Sequence, residues 1–170
     1  MTEFIMLVGL PASGKSTEAE QLKTQGFHVH SSDAIREELF GDVNSQDNNV
    51  DVFSELHKRV KNDLSNGISC VYDATNMSMK RRKAFLDDIK KYECRKICRV
   101  FITPVDLWKE RNLRRERQVP DEAFDKMLKS FWMPMYYEGW DRIDFVTRKN
   151  YKYYYPIEKT MGFDQHSKHH

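Results

Sequence analysis

The run Gly9-Leu10-Pro11-Ala12-Ser13-Gly14-Lys15-Ser16-Thr17 limits what this chain can fold into more than any other segment. It fits the GxxxxGK[ST] phosphate-binding pattern. The apolar run Phe4-Ile5-Met6-Leu7-Val8 precedes it and reads as a buried strand. Residues 16–25 follow and read as a helix with Ala19 and Leu22 on one side. Strand, glycine loop and helix make the frame that phosphate binding needs: backbone N–H groups turn inward around phosphate oxygens, and the helix N-terminus adds partial positive charge. Gly9, Ala12, Ser13, Gly14, Lys15, Ser16 and Thr17 are therefore the candidate nucleotide-binding set. Lys15 reaches the β and γ phosphates of ATP or another nucleoside triphosphate, and the Ser16 hydroxyl holds Mg²⁺. A chance glycine turn before a helix explains less, because it leaves the strand, the lysine and the serine unaccounted for.

A chain of 170 residues suits one domain with a sizeable core. Its formal net charge of +2 does not by itself mark a nucleic-acid binder, so local runs carry more information. The three cysteines, Cys70, Cys94 and Cys98, form an odd and sparse set, which points to reduced thiols and a cytoplasmic setting. Cys94 and Cys98 straddle a strand start with no further Cys or His beside them, a poor zinc set. No signal-peptide pattern is evident, and no apolar stretch is long enough to span a bilayer, so no membrane partner is expected.

Strand-like apolar runs alternate with helical patterns, which argues for βαβ units. Strands are expected at 27–30, 68–72, 97–102 and 143–146, after the first. Helices are expected at 33–40, 50–64, from Ser78 through Ile89, at 105–116, and from Pro120 with Phe124, Met127, Leu128 and Phe131 on one face. Residues 42–49 read as a polar loop. The fold class is α/β: a mostly parallel sheet of about five strands flanked by helices. Residues 1–150 are expected to form one domain and 151–170 a tail. The ending Gln165-His166-Ser167-Lys168-His169-His170 reads as a tag remnant, a frayed end, or the opening of an HD-type phosphohydrolase domain.

Three further segments carry chemistry. Asp33 and Arg36 lie just past the second strand, at the edge where ligands of open parallel sheets sit. Asp33 can accept the proton of an attacking hydroxyl, or cap the helix that begins there. Asp73 ends the third strand, where a carboxylate holding Mg²⁺ belongs. Thr75 and Asn76 follow at the same edge and can bind a phosphate or substrate hydroxyl, and Asn76 can equally serve the turn. Arg111, Arg114, Arg115 and Arg117 punctuate a segment with few apolar anchors. A cationic lid over phosphates would look like this, and so would a solvated helix. The run Lys80-Arg81-Arg82-Lys83 reads as a strand-backbone contact or a wet helix face. Trp108, Trp132, Tyr136, Tyr137 and Trp140 are candidates for base stacking, with core packing the better account of most.

These segments in order (the phosphate loop, Ser-Asp-x-x-Arg, Asp-Ala-Thr-Asn, and Arg-Asn-x-x-Arg before Val-Pro) resemble the polynucleotide 5′-hydroxyl kinase family over roughly residues 1–148. These are the P-loop kinase domains of phage and bacterial nucleic-acid end-healing enzymes. The resemblance implies a P-loop kinase fold with an arginine-bearing helical lid. It implies ATP and Mg²⁺ handled by Lys15 and Ser16, with Asp33 as general base. Arg36 would contact the phosphate next to the acceptor hydroxyl, and Arg115 would be the lid arginine, with Arg111 and Arg114 on the nucleotide. The implied partners are 5′-hydroxyl ends of RNA or DNA, in end healing and repair, and a fused phosphohydrolase domain. Readings of another class remain: a kinase of a small-molecule alcohol, or a nucleotide-dependent ATPase or switch. Ala74 follows Asp73 where a motor ATPase commonly carries a water-activating glutamate.

Overall fold

The computed structural model describes residues 1–41, 48–103, 105–116, 118–146 and 152–154. Six strands form one sheet in the order β2-β3-β1-β4-β5-β6. They are β1 (Glu3–Val8), β2 (His28–Ser31), β3 (Cys70–Asp73), β4 (Arg95–Phe101), β5 (Arg142–Val146) and β6 (Lys152–Tyr154). The first five are parallel, as expected, and β6 pairs antiparallel with β5. β6 falls in the segment read from sequence as tail. Residues 155–170, including the His-rich ending, lie outside the described residues, as do 42–47 of the expected loop and Arg117.

β1 lies at the centre of the sheet, and Phe4 through Val8 are buried, as a run covered on both faces must be. Its side chains alternate between two cores. Phe4, Met6 and Val8 pack with α2 (Ser32–Phe40), α3 (Asn49–Ser65) and α4 (Met79–Asp88), through Ile35, Leu56 and Phe85 among others. Ile5 and Leu7 face Ala19 and Leu22 of α1 (Lys15–Thr24) on the other side. A third, smaller core gathers Leu10, Met77, Trp108 and Phe124, joining the phosphate loop to α5 (Val105–Leu113) and α6 (Asp121–Ser130). Trp108 and Phe124 stack at 3.8 Å there.

From β1 the chain runs to β2 and β3 on one side, then crosses to β4 on the other. A crevice at the carboxyl ends of the strands follows from that reversal. Register brings the exits level: Leu7 and Ser31 both sit opposite Asp73. The Gly9 N–H then donates to the Thr75 carbonyl at 3.0 Å, tying the loop after β1 to the loop after β3.

One buried ion pair braces this edge. Arg82 Nε donates to Glu138 Oε1 at 2.8 Å, and both side chains are sealed from solvent. Arg82 also donates to the carbonyls of Asn76 (2.8 Å) and Trp132 (2.7 Å). Glu138 accepts from Met135 N–H at 2.9 Å and from the Trp140 indole at 3.2 Å. Such a pair is tolerable because its remaining donors and acceptors are met. Arg82 is thus a brace, while its neighbours Lys80, Arg81 and Lys83 are all exposed.

No helix among the described residues is long and apolar enough to cross a membrane. The Cys70, Cys94 and Cys98 thiols are free and buried, and burial pushes all of them up.

Candidate active site

The phosphate loop takes its shape from backbone conformations that few residues adopt. Gly14 caps α1 at φ 105°, in the left-handed region, where glycine escapes the Cβ penalty. Gly9 is held by space: a Cβ there would lie 2.9 Å from Ser13 Oγ and 3.0 Å from Phe101 Cβ. Lys15 folds back over the loop, its Nζ donating to the carbonyls of Gly9 (2.8 Å) and Leu10 (2.7 Å). Burial lowers its ammonium to about 8. The charges of Asp73 and then Asp33 oppose that fall, and Arg115 adds to it. Lys15 therefore lies within reach of the charges of Asp73, Asp33 and Arg115. The Asp73 carboxyl is pushed up by burial and by Asp33, and drawn down by Lys15.

Ser31, not Asp33, caps the helix that begins here. The Ser31 hydroxyl accepts from Ala34 N–H at 3.3 Å and caps α2, so Asp33 is spared that work. Its carboxylate is 70% exposed and receives Arg36 Nη1 at 2.9 Å. Arg36 itself is buried, with Nη2 donating to Asn49 Oδ1 at 2.8 Å.

The lid differs from its expected form. The helix expected over 105–116 stops at Leu113, and Arg114 and Arg115 sit on the turn beyond it. Asn112 is the reason. Its side-chain amide donates to the Val119 carbonyl at 2.9 Å and accepts from Val119 N–H at 2.9 Å, folding the chain back. This separates the arginines. Arg114 is 77% exposed and pairs with Glu110 one helical turn earlier. Arg115 turns inward, where Lys15 feels its charge. Arg111 is half-buried on the last turn of α5. The Trp108 indole donates to the Pro11 carbonyl, fastening α5 to the phosphate loop.

Asn76 adopts a left-handed backbone (φ 50°) and spends its amide on the Leu7 carbonyl at 2.8 Å, a turn-building role. Thr75 is half-buried beside it, and Ser16 and Thr17 lie exposed on the first turn of α1.

Buried polar atoms are almost always hydrogen-bonded. Among the described residues, three buried side-chain nitrogens or oxygens have no partner: Ser13 Oγ, Arg36 Nε and Arg115 Nη1. One belongs to the phosphate loop, one to α2 beside Asp33, and one to the turn after α5. Sequence reasoning named all three residues. It missed Ser31 and Asn112, although a serine before a helix and an asparagine after Arg111 were both in view.

A parallel sheet with a phosphate loop on its central strand, carboxylates at the neighbouring exits and an arginine-bearing lid defines a P-loop kinase domain. A family model described as an AAA domain matches residues 4–134, and the chain belongs to that family. The bifunctional polynucleotide phosphatase/kinase of Schizosaccharomyces pombe is 29% identical over 158 residues, covering 89% of this chain and 35% of that protein. The L-seryl-tRNA(Sec) kinase of Methanococcus maripaludis is 25% identical over 146 residues, covering 82% and 56%. The chain thus spans about a third of one relative and just over half of the other. A chain in the Pnkp1/Rnl/Hen1 RNA repair complex superposes with a TM-score of 0.67 at 24% identity, over 76% of this chain and 43% of that one, a likeness of fold.

A Lys15 that meets a bound triphosphate would make nucleotide binding pH-dependent. In the free protein its ammonium loses its proton as pH rises through about 8. A bound triphosphate favours the charged form, so binding above that pH takes up a proton. Affinity for ATP is expected to hold below pH 8 and fall above it. Titration calorimetry at about pH 9 in two buffers of different ionisation enthalpy checks this. Equal heats in both buffers would show that Lys15 does not take up the proton.

Proposed function

We propose that this chain transfers the γ-phosphoryl group of ATP, or of another nucleoside triphosphate, to a 5′-hydroxyl end of RNA or DNA. The observation that carries this reading is the pairing of the largely exposed Asp33 carboxylate, held at one oxygen by Arg36 Nη1, with the unpartnered, buried Nε of the same arginine. A carboxylate alone suits any alcohol. A guanidinium nitrogen waiting next to it suits an alcohol with a phosphate close by, as at the end of a nucleic-acid strand.

The acceptor hydroxyl gives its proton to Asp33 as its oxygen bonds to the γ phosphorus. The bond from that phosphorus to the bridging β–γ oxygen breaks, and ADP leaves. Lys15 and Arg115 balance the charge spread over the transferred group, and Ser13 Oγ and the loop N–H groups fix the phosphates. The Ser16 hydroxyl and the Asp73 carboxylate fit a hard divalent ion such as Mg²⁺: both donors are oxygens, and Asp73 gains from a cation. When bound, that ion would supply positive charge to the phosphates.

The catalytic unit would run beyond the expected boundary at residue 150 and include β6, which pairs with β5 in the same sheet. The residues after β6 would be a tag remnant or lead toward a further domain, the latter in keeping with the greater length of the relatives. Buried reduced thiols suit a cytoplasmic location.

Incubation with γ-labelled ATP and a 5′-hydroxyl oligonucleotide tests the reading. Label on the oligonucleotide is the expected result. ATP binding without any transfer would overturn it. The second reading, a kinase of another alcohol, is favoured by the likeness to L-seryl-tRNA(Sec) kinase. Label appearing on a small alcohol or on an aminoacyl group in the same assay would choose it.

A further inference from the structure

The stacking candidates separate sharply by exposure. Trp108 is fully buried, Trp140 is 5% exposed and Tyr136 is 9% exposed. Trp132 is 57% exposed, although its backbone N–H is pinned to the Met77 carbonyl at 3.0 Å. The main chain is thus anchored while more than half of a large aromatic residue stands in water. Trp132 lines a groove of about 440 Å³ with Ser78, Met79, Lys80 and Ser130. That volume suits a small organic group rather than an ion.

Position and charge identify the occupant. The groove opens at the start of α4, directly after the β3 exit loop that carries Asp73, Thr75 and Asn76. It therefore lies on the same edge of the sheet as Asp33 and the phosphate loop. Lys80 lines it, and Lys83, one turn on, shares that helix face. Arg81 is exposed on the adjoining face. Lys80, Arg81 and Lys83 form no ion pair among the described residues. An exposed aromatic plane flanked by unpaired cations is how proteins hold single-stranded nucleic acid: bases stack and phosphates meet the charges.

We infer that the Trp132–Lys80 groove is a track for a single-stranded acceptor, stacking a base of the strand on the indole while Lys80 and Lys83 meet the phosphates beyond the terminal nucleotide. This deepens the reading of a polynucleotide acceptor and rests on it for the direction of the strand. Arg36 serves the phosphate next to the reacting hydroxyl, and the groove serves nucleotides further along.

A fluorescein-labelled single-stranded decamer with a 5′-hydroxyl, followed by anisotropy, tests this. Trp132→Ala is expected to weaken binding about tenfold or more, and Trp132→Phe to restore most of it. Lys80→Glu is expected to weaken binding and flatten its dependence on salt. The KM for oligonucleotide acceptors is expected to rise in Trp132→Ala, and the rise to shrink as the acceptor is shortened toward a single nucleotide. Unchanged binding in both variants, with the decamer still phosphorylated, would overturn the groove and leave the kinase reading intact. Trp132-dependent binding without phosphorylation would keep the groove and remove the kinase reading. A wild-type chain that does not bind the decamer overturns the groove outright.

Discussion

Arg115→Ala is expected to lower kcat for phosphoryl transfer about a thousandfold or more, the scale of an arginine that meets charge on a transferred phosphoryl group. The expectation rests on where its guanidinium ends. It lies close enough for Lys15 to feel it, and Nη1 is buried without a partner. Leaving that nitrogen unpaired costs stability unless a ligand completes it. Arg115→Lys should recover only part of the rate, because an ammonium lacks the planar fork. Arg114→Ala is the contrast, since Arg114 is solvated and paired with Glu110. Single-turnover rates at saturating ATP and acceptor would separate the two. A loss below tenfold in Arg115→Ala, or an equal loss in both variants, would remove Arg115 from the transition state.

Asp33→Asn is expected to lower kcat by roughly a hundredfold to ten-thousandfold, the usual worth of a positioned general base. ATP binding should survive, because Lys15 and the loop are unaltered. The fold should survive as well. Ser31 caps α2, Asp33 is largely exposed, and the amide oxygen of an asparagine keeps an acceptor for the buried Arg36 Nη1. Calorimetric ATP affinity measured beside the transfer rate checks both halves. A variant that keeps a near-normal rate would mean that another group takes the proton. One that loses ATP binding would mean that Asp33 serves the nucleotide.

Much of this was legible in the chain because the determinants are local. The phosphate loop announces its own strand and helix, and Ser78 caps α4 where its position before the helix places it. What escaped depends on contacts between distant residues. Arg82 looked like one member of a basic run, and only the fold brings Glu138, 56 residues away, against it. The lid helix reads as continuing to residue 116 because its residues favour a helix, but the amide of Asn112 prefers the Val119 backbone and ends it early. β6 was hidden in an aromatic stretch whose pairing with β5 needs the sheet to exist first. Asp33 had two local roles open to it, and the neighbouring Ser31 took one of them.

The Arg82 brace has a mechanical corollary. Because one guanidinium grips the carbonyls of both Asn76 and Trp132, the turn behind the nucleotide and the wall bearing the exposed indole behave as a single stiff piece. Warming should not loosen one before the other. Both should give way in a single step, when the buried carboxylate of Glu138 is finally wetted.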